Sequence, residues 1–113
     1  MTIKIVNVYN CIPTHYCGRL ASYRPIYGVN LSILGNPFVV SRLQTRDEAC
    51  DKYLEYFKSN IDKFAKPLQE IKEYHLKYGE LRLGCFCYPK RCHCETIRDW
   101  LTHSICCGIV PLN

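Results

Sequence analysis

Apolar positions along the chain follow two periods. Ile3, Ile5, Val6 and Val8 form a β-rich, nearly continuous apolar run, the pattern of a strand covered on both faces, so a central strand is expected there. Leu81, Leu83, Cys85 and Cys87 alternate instead. They would share one face of a second strand, with Arg82, Gly84 and Phe86 on the other. Helical spacing links Ala49, Cys50, Tyr53, Leu54 and Phe57, and the preceding Thr45-Arg-Asp-Glu48 is a capping box in which Thr45 and Glu48 satisfy one another's N–H groups. This predicts a helix from Thr45 to about residue 58. Ala65, Leu68, Ile71 and Tyr74 or His75 predict a second over about 62–78, with Pro67 tolerated in its first turns and Gly79 as its stop. His75 reads as a helix-surface or boundary residue. Ile97, Trp100, Leu101 and Ile105 share a face of the last helix, whose helix-like run is Cys92 to His103. The 45–58 and 92–103 helices are expected to pack on the sheet through Tyr53, Leu54, Phe57, Ile97, Trp100 and Leu101.

Between Asn10 and Asn36 the chain is rich in Pro, Gly, Tyr, Ser and Asn. Only short strand-like pieces appear, near His15 to Cys17 and Ile26 to Val29, with a further one at Phe38 to Val40. A long irregular segment in so small a domain is more often a functional loop than idle linker. With 113 residues the chain has room for one modest core. The expectation is a single α/β domain over 1–113, with a short, mainly parallel sheet, flanking helices and a site at the carboxyl edge of the strands.

Charge narrows the function classes. The net charge is +5, with fifteen Lys and Arg spread among ten acids. Lys63, Lys66, Lys72 and Lys77 are interrupted by Asp62, Glu70 and Glu73, which suits an exposed helix better than a phosphate-tracking stripe. Nucleic acid is therefore not the favoured partner, although nine tyrosines could stack on bases. No apolar run approaches the roughly 20 residues a bilayer requires, and Met-Thr-Ile-Lys-Ile-Val-Asn-Val lacks the charged head and apolar block of a secretion signal. A cytoplasmic chain with no membrane partner is expected. Its thiols would be reduced there, and the odd total of nine argues against a fully paired disulfide framework. Cys11, Cys17, Cys50, Cys106 and Cys107 are read as small buried hydrophobes or bystanders.

The chemistry concentrates in Leu83 to Glu95, which holds Cys85, Cys87, Cys92, Cys94 and His93 where a strand passes through a Pro89 loop into a helix. Two arrangements stay open. In one, Cys85, Cys87, Cys92 and His93 form a tetrahedral zinc site. Adjacent Cys92 and His93 would point about 100° apart on a helix, so Cys94 could take the place of one of them. In the other, favoured, arrangement no metal or other cofactor is present and the helix N-terminus binds an anion, with its partial positive charge drawing a nearby thiol toward thiolate. A plain packing role is the third reading. It leaves His93 and Glu95 unexplained.

Ile-Val-Asn-Val (5–8), Tyr-Cys-Gly-Arg (16–19), Ile-Leu-Gly-Asn-Pro-Phe (33–38), Thr-Arg-Asp-Glu (45–48) followed by Tyr53, and Leu-Gly-Cys-Phe-Cys-x-Pro-x-x-Cys-His (83–93) occur in an order that resembles the family called domain of unknown function 4326, found in bacteriophage and bacterial genomes. The resemblance spans about residues 5–101 and implies functional positions at Arg19, Gly35, Asn36, Pro37, Phe38, Arg46, Cys85, Cys87, Pro89, Cys92 and His93. Two departures stand out. About ten residues around Tyr23 to Ser32 are inserted, and Cys94-Glu95 stands where Gly-Asp is more usual. A weaker similarity to domain of unknown function 488, where a carboxylate occupies the position of Cys87, implies that Cys87 need not be a metal ligand.

The resulting expectation is binding, with processing left open, of a nucleotide-derived or other phosphorylated small molecule, in a phage setting a host metabolite or signalling nucleotide. Cys92 or Cys85 would be the nucleophile, and His93 the acid/base. Arg19, Asn36, Cys87 and Glu95 would contact the ligand, Arg19 forking onto phosphate and Asn36 reading a base or ribose edge. Arg19 has an alternative as an ordinary surface cation, and Asn36 as a turn residue before Pro37. The alternative function is a zinc-stabilised adaptor that binds a host protein through its Tyr-rich insertion. A homo-oligomer is left open.

Overall fold

The computed structural model describes residues 2–106, without the side chains of Thr2 and of residues 104–106, so Cys107 and the environments of Ile105 and Cys106 lie outside the described residues. Four strands, β1 (Thr2–Asn7), β2 (His15–Tyr16), β3 (Val29–Asn30) and β4 (Glu80–Cys85), form one sheet in the order β1-β4-β2-β3, parallel throughout. Three helices follow the chain as α1 (Arg46–Ser59), α2 (Ala65–Tyr78) and α3 (Cys94–Cys106). The small, parallel α/β domain expected from the sequence is the architecture found. Among the described residues no helix is long and apolar enough to cross a membrane.

The central position belongs to β4, which pairs with β1 along one edge and β2 along the other, and β1 is an edge strand. Its apolar run is buried from both sides: Ile5 joins the helical core, with α3 packed against the strand, and Val8 lies on the other face beside Gly84 and Pro13, while Val6 is also buried and Lys4 stays exposed. Buried residues on both faces therefore mark a covered edge here, not a strand with two neighbours. The strand expected at Phe38–Val40 is absent. That segment is a turn in which the Asn36 side-chain oxygen accepts from Phe38 N–H at 2.9 Å and Gln44 donates to Val39 O at 2.9 Å, leaving Val39 and Val40 exposed.

The alternation of β4 sends Leu81, Leu83 and Cys85 into the core with Tyr53, Phe57, Leu68, Ile71, Ile97 and Leu101 of the three helices. On the other face Gly84 lies against Pro13, where an added Cβ would stand 2.6 Å from the proline ring. Beyond it the inserted segment contributes β3 together with Tyr23 and Tyr27, whose rings lie 5.3 and 5.6 Å from that of Tyr16. Gly28, at φ 84°, makes the turn into β3 against the Thr14 carbonyl.

Helix ends follow local chemistry. Thr45 caps α1 in a reciprocal box with Glu48, both bonds 3.1 Å. The second helix starts at Ala65 rather than Asp62, because the 61–64 stretch forms a turn in which Phe64 N–H reaches Asn60 O. Gly79 ends it in the left-handed conformation. His75 is buried rather than superficial, and neither ring nitrogen finds a partner among the described residues. Leu54 and Trp100 are half-buried, whereas Phe57 is 1% exposed.

Phe57→Ala should cost about 3–5 kcal/mol in denaturant titration and Trp100→Ala distinctly less, because only Phe57 leaves a closed cavity. Equal losses would place Trp100 in the core. Burial lowers the pKa of His15 from 6.5 to about 4, and lowers that of His75 in the same direction. As pH falls below about 6.5 the unfolded chain takes up protons that the folded one refuses. Stability is therefore complete above that pH and should decline toward pH 4; a denaturation midpoint that is flat over this window would contradict neutral buried imidazoles.

Candidate functional site

After Cys85 the strand ends and the chain turns through Phe86–Cys92, with a cis Tyr88–Pro89 peptide, into α3 at Cys94. Cys87 thus lies beyond the strand rather than on its face with Cys85. His93 precedes the first turn of α3, its carbonyl accepting from Thr96 N–H at 3.0 Å, and the helix starts two residues later than the sequence suggests. The loop is held from two sides. Asn7 at the end of β1 donates to the Phe86 and Tyr88 carbonyls at 3.2 and 3.0 Å and accepts from Tyr9 N–H. From α1, Asp47 and Asp51 accept from Arg91 at 2.9 and 2.8 Å, and Arg46 donates to Arg91 O at 3.3 Å.

These contacts bring Cys85, Cys92 and Cys94 together, all buried, with sulfur atoms within 4.8 Å of one another and the Cys85–Cys92 pair at 3.4 Å. The Cys92 and Cys94 thiols and the Cys87 and Tyr88 N–H groups turn toward the Cys85 sulfur and hold its pKa below the ordinary thiol range. Cys92 and Cys94, acting as donors to it in a buried place, are pushed upward. Cys17 also reaches Cys94, a neighbour its position in the sequence did not suggest.

His93 points elsewhere. Its Nε2 lies 2.6 Å from Cys17 O and its ring 5.0 Å from that of Tyr53. Burial lowers its pKa, so the neutral ring carries its proton on Nε2 and donates to that carbonyl.

A cavity of about 160 Å3 opens outside the carboxyl ends of β2 and β4. Arg19, Asn36, Arg46, Cys85, Cys87, Arg91, Cys92 and His93 all reach its wall, and no Asp or Glu does. Arg19 stands exposed at the rim with its Nε donating to Asn36 O at 3.2 Å. The Asn36 amide is committed to its own turn and to Ala49 O at 3.5 Å, the turn role open to it from the sequence. Glu95 is not in this cavity. It lines a second one, of about 330 Å3, between α1 and α3 with Phe57, Asp99 and Trp100. Asn7 and Asp47 fall within the motifs that carry the family resemblance but were given no role, and Asp51 lies outside them; an amide at a strand end and acids on an exposed helix face carry no sign of the loop they hold.

The class defined by these features is a small parallel α/β domain with a thiol-floored, arginine-rimmed cavity at its strand ends. The chain belongs to the family described as Domain of unknown function (DUF4326), whose model matches residues 7–103. No curated protein and no solved structure matches it.

Asn7→Ala should lower stability by about 1–3 kcal/mol, since each lost bond contributes about 0.5–1.5 kcal/mol. Amide exchange over 87–91 should accelerate at the same time. Unchanged exchange there would show that Asn7 does not hold the loop.

Proposed function

We propose that the cavity binds a small phosphorylated molecule of nucleotide-derived kind, in the cytosol. The observation that carries this reading is the company of Arg19, Arg46 and Arg91 around a cavity free of carboxylates, at the carboxyl ends of parallel strands, where open α/β sheets receive their ligands. Arg91 is engaged by Asp47 and Asp51 and positions the loop. Arg19 and Arg46 then supply the charge that attracts a phosphate. The volume of about 160 Å3 lies below the range of roughly 300–1,000 Å3 that encloses a drug-sized ligand, so a phosphoryl or sugar-phosphate group would enter and the rest of the ligand would lie outside.

Binding is favoured over turnover. With His93 donating to Cys17 O, the acid/base partner for a Cys85 or Cys92 nucleophile is already committed. In a phage setting such a protein would sequester a host metabolite or signalling nucleotide. The zinc-stabilised adaptor draws support from the three converging thiols, yet the tyrosines it would use for contact are only half-exposed, Tyr23 and Tyr27 packing on the fully buried Tyr16.

Thermal-shift and calorimetric titration with inorganic phosphate, ribose 5-phosphate and nucleoside monophosphates tests the proposal. At least one phosphorylated probe should stabilise the protein where its unphosphorylated counterpart does not. Arg19→Gln and Arg46→Gln should remove that effect with little change in unliganded melting. A panel without any phosphate-dependent shift, or a shift that survives both substitutions, would defeat the proposal.

A further inference from the structure

We infer that Cys85, Cys92 and Cys94 form a binding site for one thiophilic divalent cation of the zinc class, with the three sulfurs as its protein ligands. The three sulfur atoms lie within 4.8 Å of one another. A zinc–sulfur bond of about 2.3 Å in tetrahedral geometry places neighbouring sulfurs roughly 3.8 Å apart, so small side-chain adjustments suffice. Packing alone does not require this convergence, since a buried thiol needs only apolar neighbours, whereas three thiols gathered from a strand end and a helix start concentrate one kind of soft donor.

The backbone supports the same use. N–H groups of Cys87 and Tyr88 face the Cys85 sulfur, and that of Cys94 faces the Cys92 sulfur. N–H groups so placed stabilise metal-bound thiolates and fix their orientation. Cys94 is the first residue of a 13-residue helix, whose positive end offsets thiolate charge. Three thiolates and a divalent ion leave one net negative charge, beside a cavity with arginines on its wall. Cys85 and Cys92 also line that cavity, so water or a small ligand can complete the coordination, as in zinc sites with three protein ligands. The set differs from the four ligands expected from the sequence in that Cys87 stands outside the group and His93 is turned to Cys17 O, while Cys94 takes the place the sequence left open to it. Metal uptake releases the thiol protons to solvent.

The test is a cobalt(II) titration of the reduced, full-length protein purified without chelator, with elemental analysis of the zinc-loaded form. One metal per chain should bind, with sulfur-to-cobalt charge-transfer absorption that zinc displaces. Cys92→Ser and Cys94→Ser should abolish it, and Cys87→Ser and Cys50→Ser should retain it. Should the buried variants fail to fold, cadmium NMR of the unsubstituted protein gives the ligand count directly, and a shift typical of three sulfurs is expected. Absence of stoichiometric uptake, a cadmium shift typical of fewer sulfurs, or loss of binding in Cys87→Ser would overturn the assignment. Phosphate binding without metal uptake would remove this site and leave the proposed function standing; metal uptake without phosphate binding would do the reverse.

Discussion

Parallel pairing of β4 on both edges governs everything else in this molecule. Ile5, Leu83 and His15 stand level across the sheet, and β4 is paired on both edges at Leu83 and Gly84, so its exit point is fixed by two neighbours. Gly84 lets Pro13 close against the sheet one residue before that exit. Cys85 is then the last residue that can be both paired with β1 and buried among the helices. The chain must leave the sheet there, over the carboxyl ends where the cavity opens.

The loop that follows is held by groups from elsewhere in the chain. Asn7 reaches it from the strand beside β4, and Asp47 and Asp51 reach it through Arg91 from the first turns of α1. Those ion pairs are largely exposed and contribute little stability by themselves. Their effect is positional: they turn the Arg91 backbone and the start of α3 toward β4, so Cys92 and Cys94 arrive beside Cys85. The same arrangement lines one cavity with thiols of Cys85 and Cys92 and with the side chains of Arg19, Arg46 and Arg91.

Much of the framework was legible because it follows local rules. The capping box at Thr45, the stop at Gly79 and the short strands near His15 and Val29 all carry their own signals in turn and cap chemistry. What was not legible depends on partners distant in sequence. A continuous apolar run at β1 cannot tell a helix-covered edge from a central place in the sheet. Alternation through Cys87 overran the strand because the bonds from Asn7, about eighty residues away, that pull the chain off line have no local trace. That difference removed Cys87 from the thiol group, whereas the place of Cys94 in it was open from the helical spacing of Cys92 and His93. His93, read from the sequence as an acid/base, lines the cavity, but its ring orientation is set by the Cys17 carbonyl, which is distant in sequence.

A heteronuclear NMR titration of the labelled chain with inorganic phosphate and adenosine monophosphate tests the central claim, that the strand ends around β4 form the ligand site. The account predicts perturbed amides at Gly18, Arg19, Asn36, Arg46, 86–88 and 90–93, with α2 unaffected. Perturbations concentrated in the groove between α1 and α3, or scattered without a focus, would contradict it.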